Sequence, residues 1–170
     1  MVETYKKIER YEVYSVSDHG NVRNDKTRRI LKGTVSDHGY LRVTFRKDNK
    51  NQNKRIHKLV ADAFLPNPEN KKCIDHIDNN RQNNNLINLR FATTTQNAQN
   101  AKISSKNTSG TKGVYWNKNR NKWRAQIMIN GKNINLGSFL KKDDAINIRV
   151  QRAKDAFGEY INKCELVINV

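Results

Sequence analysis

Cysteine, acid and long apolar runs are all scarce in this chain, and each shortage excludes something. Only Cys73 and Cys164 occur among 170 residues, with no Cys-x-x-Cys pair, which rules out a cysteine-built structural zinc site. There is no run of 18 apolar residues and no apolar leader. The sequence therefore predicts neither a membrane span nor a signal peptide, and a soluble intracellular protein of cytoplasm or nucleoid is expected, with reduced thiols. Hydrophobic residues make up 35%, too few for one large core, so several small modules fit better. The shortage of acid says most. Asp and Glu number 16 against 33 Lys and Arg, a formal charge of +17, and from Asn79 to Lys142 twelve basic residues occur without a single acid. A surplus spread in this way repels itself unless an anion is bound, and the usual anion is nucleic acid.

What is present falls into four stretches. Residues 1–50 read as a β-rich unit: Tyr14 and Val16 alternate, Ser17–Asp18–His19–Gly20 makes a turn, and Val22 leads the next strand. The same tetrapeptide returns as Ser36–Asp37–His38–Gly39 ahead of Tyr40–Phe45. Both copies read as hairpin turns ending in a glycine of positive φ, a setting that makes His19 and His38 turn residues rather than ligands. Residues 51–103 begin with a helix over His57–Phe64, its face made of Leu59, Val60, Ala63 and Phe64, stopped by Pro66 and Pro68. A strand to Asp75–His76 follows, then a polar loop, a strand in which Ile87, Leu89 and Phe91 alternate, and a helix capped by Thr93 or Thr94 and running to about Ile103. Residues 104–112 read as a linker. Residues 113–163 read as three antiparallel strands, hinged at Asn130–Gly131, with one covering helix that carries Ile146, Val150, Ala153 and Phe157 and closes at Gly158. The class is α+β, built from small modules.

Phosphodiester cleavage needs an activated water, a cation and an oriented phosphate. Asp75, His76, Asn88 and Asn97 can supply them on a strand–loop–strand–helix path. Neutral His76 is the expected general base, with its second ring nitrogen held by the carbonyl of Asn88. Asp75 and the carboxamide of Asn97, completed by phosphate oxygens and water, form a shell suited to one magnesium ion, with manganese able to substitute and no structural zinc. For Asp75 and His76 to serve one site, the strand must end or bulge there.

Asp75–His76–Ile77–Asp78–Asn79–Asn80, Asn83–Asn84, Asn88–Leu89–Arg90–Phe91–Ala92–Thr93, Asn97 and Asn100 resemble the HNH motif of phage homing endonucleases over about residues 54–103. The resemblance implies a ββα-metal centre with His76 as base, Asn88 orienting it, and Asp75 and Asn97 binding the metal. The last ligand position is Asn97 where the name has His, which points to a hard cation over zinc. Tyr5–Ile8, Tyr14–Ser17 and Gly20–Arg23 resemble the N-terminal nuclease-associated modular motif, with Tyr5 where Trp is commoner. Gly113–Trp116, Lys122–Ile127, Leu136–Phe139 and the helix from Ala145 to Gly158 resemble an ethylene-response-factor (Apetala-type) DNA-binding domain, which implies a sheet laid in the major groove.

Alternation gives the reading face independently. With Val114, Trp123, Ala125, Ile127, Ile134 and Leu136 under the helix, Tyr115, Lys122, Arg124, Gln126, Met128, Asn133 and Asn135 face outward. Arg, Gln and Asn suit bidentate base contacts, and Lys122 and Lys132 suit phosphate. Trp116 fits either core packing or base stacking. The expected function is a sequence-directed, metal-dependent endonuclease that nicks or cuts double-stranded DNA to 5′-phosphate and 3′-hydroxyl ends, with the oligomeric state open and a monomer favoured, and with no membrane or small-molecule partner. The alternatives are a DNA-binding regulator with a vestigial centre, against which the intact Asp75–His76–Asn88–Asn97 set weighs, and an RNA-binding protein, against which the lack of an RNP-like aromatic pair weighs.

Overall fold

Short strands joined by tight turns dominate the first part of the chain, because turn residues recur every few positions between β-branched and aromatic ones. The structure is a computed structural model. It describes residues 2–166 and divides into two units, 1–94 and 95–170. In the first, β1 (Tyr5–Lys7), β2 (Tyr14–Ser17) and β3 (Val22–Asn24) form an antiparallel meander. β4 (Thr34–Val35), β5 (Leu41–Lys47) and β6 (Lys50–Arg55) form a second. The two Ser-Asp-His-Gly turns close as expected, with Gly20 at φ +84° and Gly39 at +78°. The β5–β6 hairpin is an addition to the sequence reading. It turns at Asp48–Asn49, both at positive φ, a backbone that Asp and Asn tolerate better than other side chains.

Helix α1 (Ile56–Phe64) leaves β6 without a loop and buries Ile56, His57, Leu59, Val60 and Ala61. Ala63 and Phe64 are only partly buried beside them. Then come β7 (Cys73–His76), a single 3-10 turn (Leu86–Asn88) and β8 (Leu89–Ala92), which pairs antiparallel with β7. The expected alternation from Ile87 fails, since Ile87 lies in the 3-10 turn and is 81% exposed. One core gathers residues as far apart as Ile8, Val16, Val22, Phe45, Val60 and Leu89. Phe45 is fully buried, with Tyr14 stacked on it at 4.5 Å between centroids. Its truncation to alanine should cost about 3–5 kcal/mol.

The second unit takes in all but the first residue of helix α2 (Thr94–Gln99). This helix stops short of the expected Ile103, because the Asn100 carbonyl accepts from the Asn162 side chain instead of from a further turn. Within 104–112, Ser109 and Thr111 are buried, and the Ser109 hydroxyl donates to the Thr111 carbonyl. β9 (Val114–Asn117), β10 (Lys122–Ile129) and β11 (Lys132–Phe139) form one antiparallel sheet in the order β11-β10-β9. Helix α3 (Lys142–Phe157) buries Ala145, Val150, Ala153 and Phe157; Ala145 clusters with Val114 and Ala125 of the sheet, and Ala153 and Phe157 with Ile127. Arg149, unexpectedly, is buried as well. It pairs at 3.1 Å with the buried Glu165, which Lys112 also meets at 2.9 Å. Several small antiparallel sheets with few helices make up the α+β class anticipated above.

Candidate active site

The β7–β8 register sets Asp75 directly across from Arg90, and His76 across from Leu89. Strand β7 ends at His76, which meets the condition that alternation imposed: both side chains can be buried, Asp75 at 4% exposure and His76 at 5%. A carboxylate so enclosed needs compensation. Arg90 provides it, donating from Nε at 2.9 Å and Nη2 at 2.8 Å to the same oxygen, Asp75 Oδ2. Arg90 was not anticipated. The signal for it was a lone cation at the centre of the run Leu89–Ala92, a position that in a pair of strands calls for an acid opposite.

His76 Nε2 lies 3.2 Å from Asn84 Oδ1, another residue the sequence reading left without a role. The Asn84 carboxamide is itself fixed, since its Nδ2 donates to the Gln82 carbonyl at 3.1 Å. Its oxygen therefore faces the imidazole and can only accept, so the donor is His76 Nε2–H. A neutral ring in that tautomer carries its lone pair on Nδ1. Burial pushes the His76 pKa down, and although the Asn84 bond and the Asp78 and Asp75 charges oppose this, the net shift is downward. The ring is thus uncharged near neutrality, as a base must be. His57 stands against it at 5.0 Å, edge to face, with Tyr40 4.9 Å from His57. Burial, together with the neighbouring His76, Arg55 and Lys58, pushes the His57 pKa down to about 4.

The loop between the strands is tied by its own asparagines. Asn88 Oδ1 accepts from the Asp78 amide, and Asn88 Nδ2 donates to Asp78 Oδ1 and to the Asn83 carbonyl. The Asn88 peptide carbonyl takes the Ile77 amide at 2.9 Å. Burial works to raise the Asp78 pKa, but the Asn80 amide and the Asn83 and Asn88 carboxamides outweigh it and hold the carboxyl below its ordinary range. Asn88 thus closes the loop that carries Asn84, while the oxygen facing His76 belongs to Asn84.

Asn97 sits in the middle of α2 and belongs to the second unit. Among the described residues no group of three or more His, Cys, Asp or Glu is placed to hold a metal. The donors expected from the sequence, the Asp75 carboxylate and the Asn97 carboxamide, are oxygens, a type that suits a hard cation completed by water and phosphate and does not suit zinc. Magnesium chemistry fits the donor type.

On the sheet of the second unit, the register sets Tyr115 beside Arg124, and Gln126 beside Asn135. Asn133 Nδ2 donates to Gln126 Oε1 at 3.2 Å. Lys122 shares that parity, whereas Lys132 pairs with Ile129 at the hairpin end and falls on the other. Arg124 Nε is enclosed without a hydrogen-bond partner. Trp116 is half exposed and meets Trp123 edge-on at 5.4 Å.

Residues 54–99 match the family model of the HNH endonuclease, and residues 3–46 match that of the NUMOD4 motif. The DNA endonuclease I-HmuI of Bacillus phage SP01 is 36% identical over 97 residues, which are 56% of either chain. The H-N-H endonuclease F-TflII of Escherichia phage T5 is 36% identical over 90 residues, 52% of this chain and 47% of that one. A solved structure described as DNA binding and cleavage by the HNH homing endonuclease I-HmuI superposes with a TM-score of 0.55 at 26% identity, over 91% of this chain and 83% of that one. The chain spans from 24% to 56% of the length of those just named and of two mimivirus HNH endonucleases.

Proposed function

From a chain that carries an HNH endonuclease domain behind a NUMOD4 motif, we propose a magnesium-dependent DNA endonuclease of the homing type, with His76 as its general base. The observation that carries this reading is the Asn84 carboxamide accepting from His76 Nε2, next to the buried carboxylate of Asp75. With Nε2–H engaged, His76 takes a proton from the attacking water at Nδ1. Asp75 would supply a carboxylate to one divalent cation, with Asn97 the second ligand that the family resemblance implies, and manganese would substitute for magnesium. The cation neutralises charge on the scissile phosphate. Asn88 supports the base by closing the loop that presents Asn84. Departure of the 3′ oxygen leaves 5′-phosphate and 3′-hydroxyl ends.

A phosphate is the same at every step of DNA, so the choice of site rests on side chains that meet bases. We assign this to Tyr115, Lys122, Arg124, Gln126, Asn133 and Asn135, with Lys132 at the rim, on a sheet that resembles an Apetala-type reading module. A single centre in a monomer cuts one strand per encounter, and nicking is the expected product. Supercoiled plasmid incubated with the protein in magnesium should give relaxed circles that DNA ligase reseals, and none in EDTA. Intact plasmid in magnesium and in manganese, or ends that ligase cannot join, would contradict the reading.

A further inference from the structure

The repeated Ser-Asp-His-Gly tetrapeptide at 17–20 and 36–39 has no part in the hydrolytic reading, yet both copies reach the same loop, Ile77 to Asn88. In the first, the Asp18 carbonyl accepts the Leu86 amide at 2.7 Å. Gly20 comes so close to Asn84 that a Cβ at position 20 would lie 3.0 Å from both Asn84 Cβ and the Asn84 carbonyl oxygen. In the second, the His38 carbonyl accepts from Arg81 Nη1 at 2.7 Å. The next residue, Tyr40, lies against the same guanidinium at 4.9 Å and against the His76 ring at 6.0 Å.

We propose that the duplicated turn is the positioning device of the catalytic loop, with Ser17–Gly20 fixing Asn84 and through it the His76 imidazole, and Ser36–Gly39 fixing Arg81. The proposal rests on the role given to His76 above. Its force lies in Asn84, held between the Gln82 carbonyl on one side and a glycine with no side chain on the other. Any displacement of Asn84 turns its acceptor away from Nε2 and releases the tautomer that leaves Nδ1 basic. The N-terminal module is in this sense part of the hydrolytic centre, and Gly20, Asp18 and His38 are positioning residues that need touch no DNA.

The repeat supplies its own control. Gly20 and Gly39 share a left-handed backbone, at φ +84° and +78°, so alanine strains both turns alike. At Gly39, however, a Cβ would meet only Arg81 Cδ at 3.9 Å, an ordinary contact. Gly20→Ala and Gly39→Ala should therefore carry the same backbone strain and bind plasmid equally, with Gly20→Ala melting lower only by its added contact with Asn84. Gly20→Ala should nick supercoiled plasmid in magnesium about tenfold more slowly than Gly39→Ala under single-turnover conditions, since displacement by a fraction of an ångström degrades an aligned proton transfer. Nitrogen-15 NMR of the His76 ring at neutral pH should find the Nε2–H tautomer in the wild type and in Gly39→Ala, and a mixture in Gly20→Ala. Equal nicking rates and one tautomer in all three proteins would overturn the proposal. Should Gly20→Ala fail to fold, the pair Gly20→Asn and Gly39→Asn replaces it, because asparagine accepts this backbone, as Asn49, Asn79 and Asn130 do here, and still brings the Cβ. A wild type that cuts no DNA would sink the nuclease reading, and the tautomer comparison would still decide whether the turn positions His76.

Discussion

Asparagine does one job between Ile77 and Asn88 and another on the sheet of β9–β11, although both stretches are free of acids after Asp78. In the loop the carboxamides bond inward. Asn83 and Asn88 hold Asp78, Asn84 faces His76, and Asn85 caps the 3-10 turn by accepting the Ile87 amide. On the sheet, Asn133 reaches its neighbour Gln126, Asn135 Oδ1 accepts the Gly137 amide at 3.3 Å, and both side chains are exposed. The same side chain is spent on internal geometry in one place and left available in the other. Damage to the loop should therefore appear as lost stability or lost chemistry, and damage to the sheet face as lost recognition with the fold intact.

The largest effect is expected beside the loop. Arg90→Ala removes the guanidinium that holds the buried Asp75 carboxylate at 2.8 Å, which should destabilise the protein by about 3–5 kcal/mol, read from denaturant melts of the metal-free protein. Magnesium should restore more stability to this variant than to the wild type, because an added cation replaces the missing charge. Equal responses to magnesium would separate Asp75 from metal binding.

Next comes a pH effect on the same unit. His57 is pushed down to about 4 from an ordinary 6.5, so the unfolded chain binds a proton that the folded one refuses. Stability attributable to His57 is complete above about pH 6.5, declines as pH falls toward about 4, and levels off below. At about 1.4 kcal/mol per pKa unit this amounts to on the order of 3 kcal/mol. His57→Gln should flatten the melting curve in that window, and an unchanged slope would mean that the ring already carries its proton when folded.

Smaller effects belong to the sheet. Gln126→Ala should leave the melting point within about 0.5 kcal/mol of wild type and cost about 1–3 kcal/mol of affinity at the preferred site, with relaxed selectivity at one base pair. Lys122→Ala should weaken all sequences alike and flatten the salt slope of log K by about 0.9. If Gln126→Ala unfolds the protein instead, the contrast between the two regions fails.

Much of this was legible in the residues. The Asp75–His76 pair, both tetrapeptide turns, the Asn130–Gly131 hairpin and the outward parity of Arg124 and Gln126 follow from local patterns that are short and strongly marked. What was hidden depended on pairing. Arg90 gains meaning only once the register sets it across from Asp75. Asn84 is one of three consecutive asparagines, and only the closed loop shows which of them meets His76. Helix α2 is shorter than its pattern because Asn162, far along the chain, claims the Asn100 carbonyl, and Ile87 is exposed because the chain takes a 3-10 turn before it becomes a strand.

The most direct test of the account is the fate of cleavage when the imidazole is removed and nothing else changes. His76→Ala and wild type should be matched for plasmid affinity and melting temperature, then compared for single-turnover nicking of supercoiled plasmid in magnesium. Binding should be nearly equal and nicking slower by about 10²–10⁴-fold, whereas nicking at the wild-type rate would show that His76 is not the base.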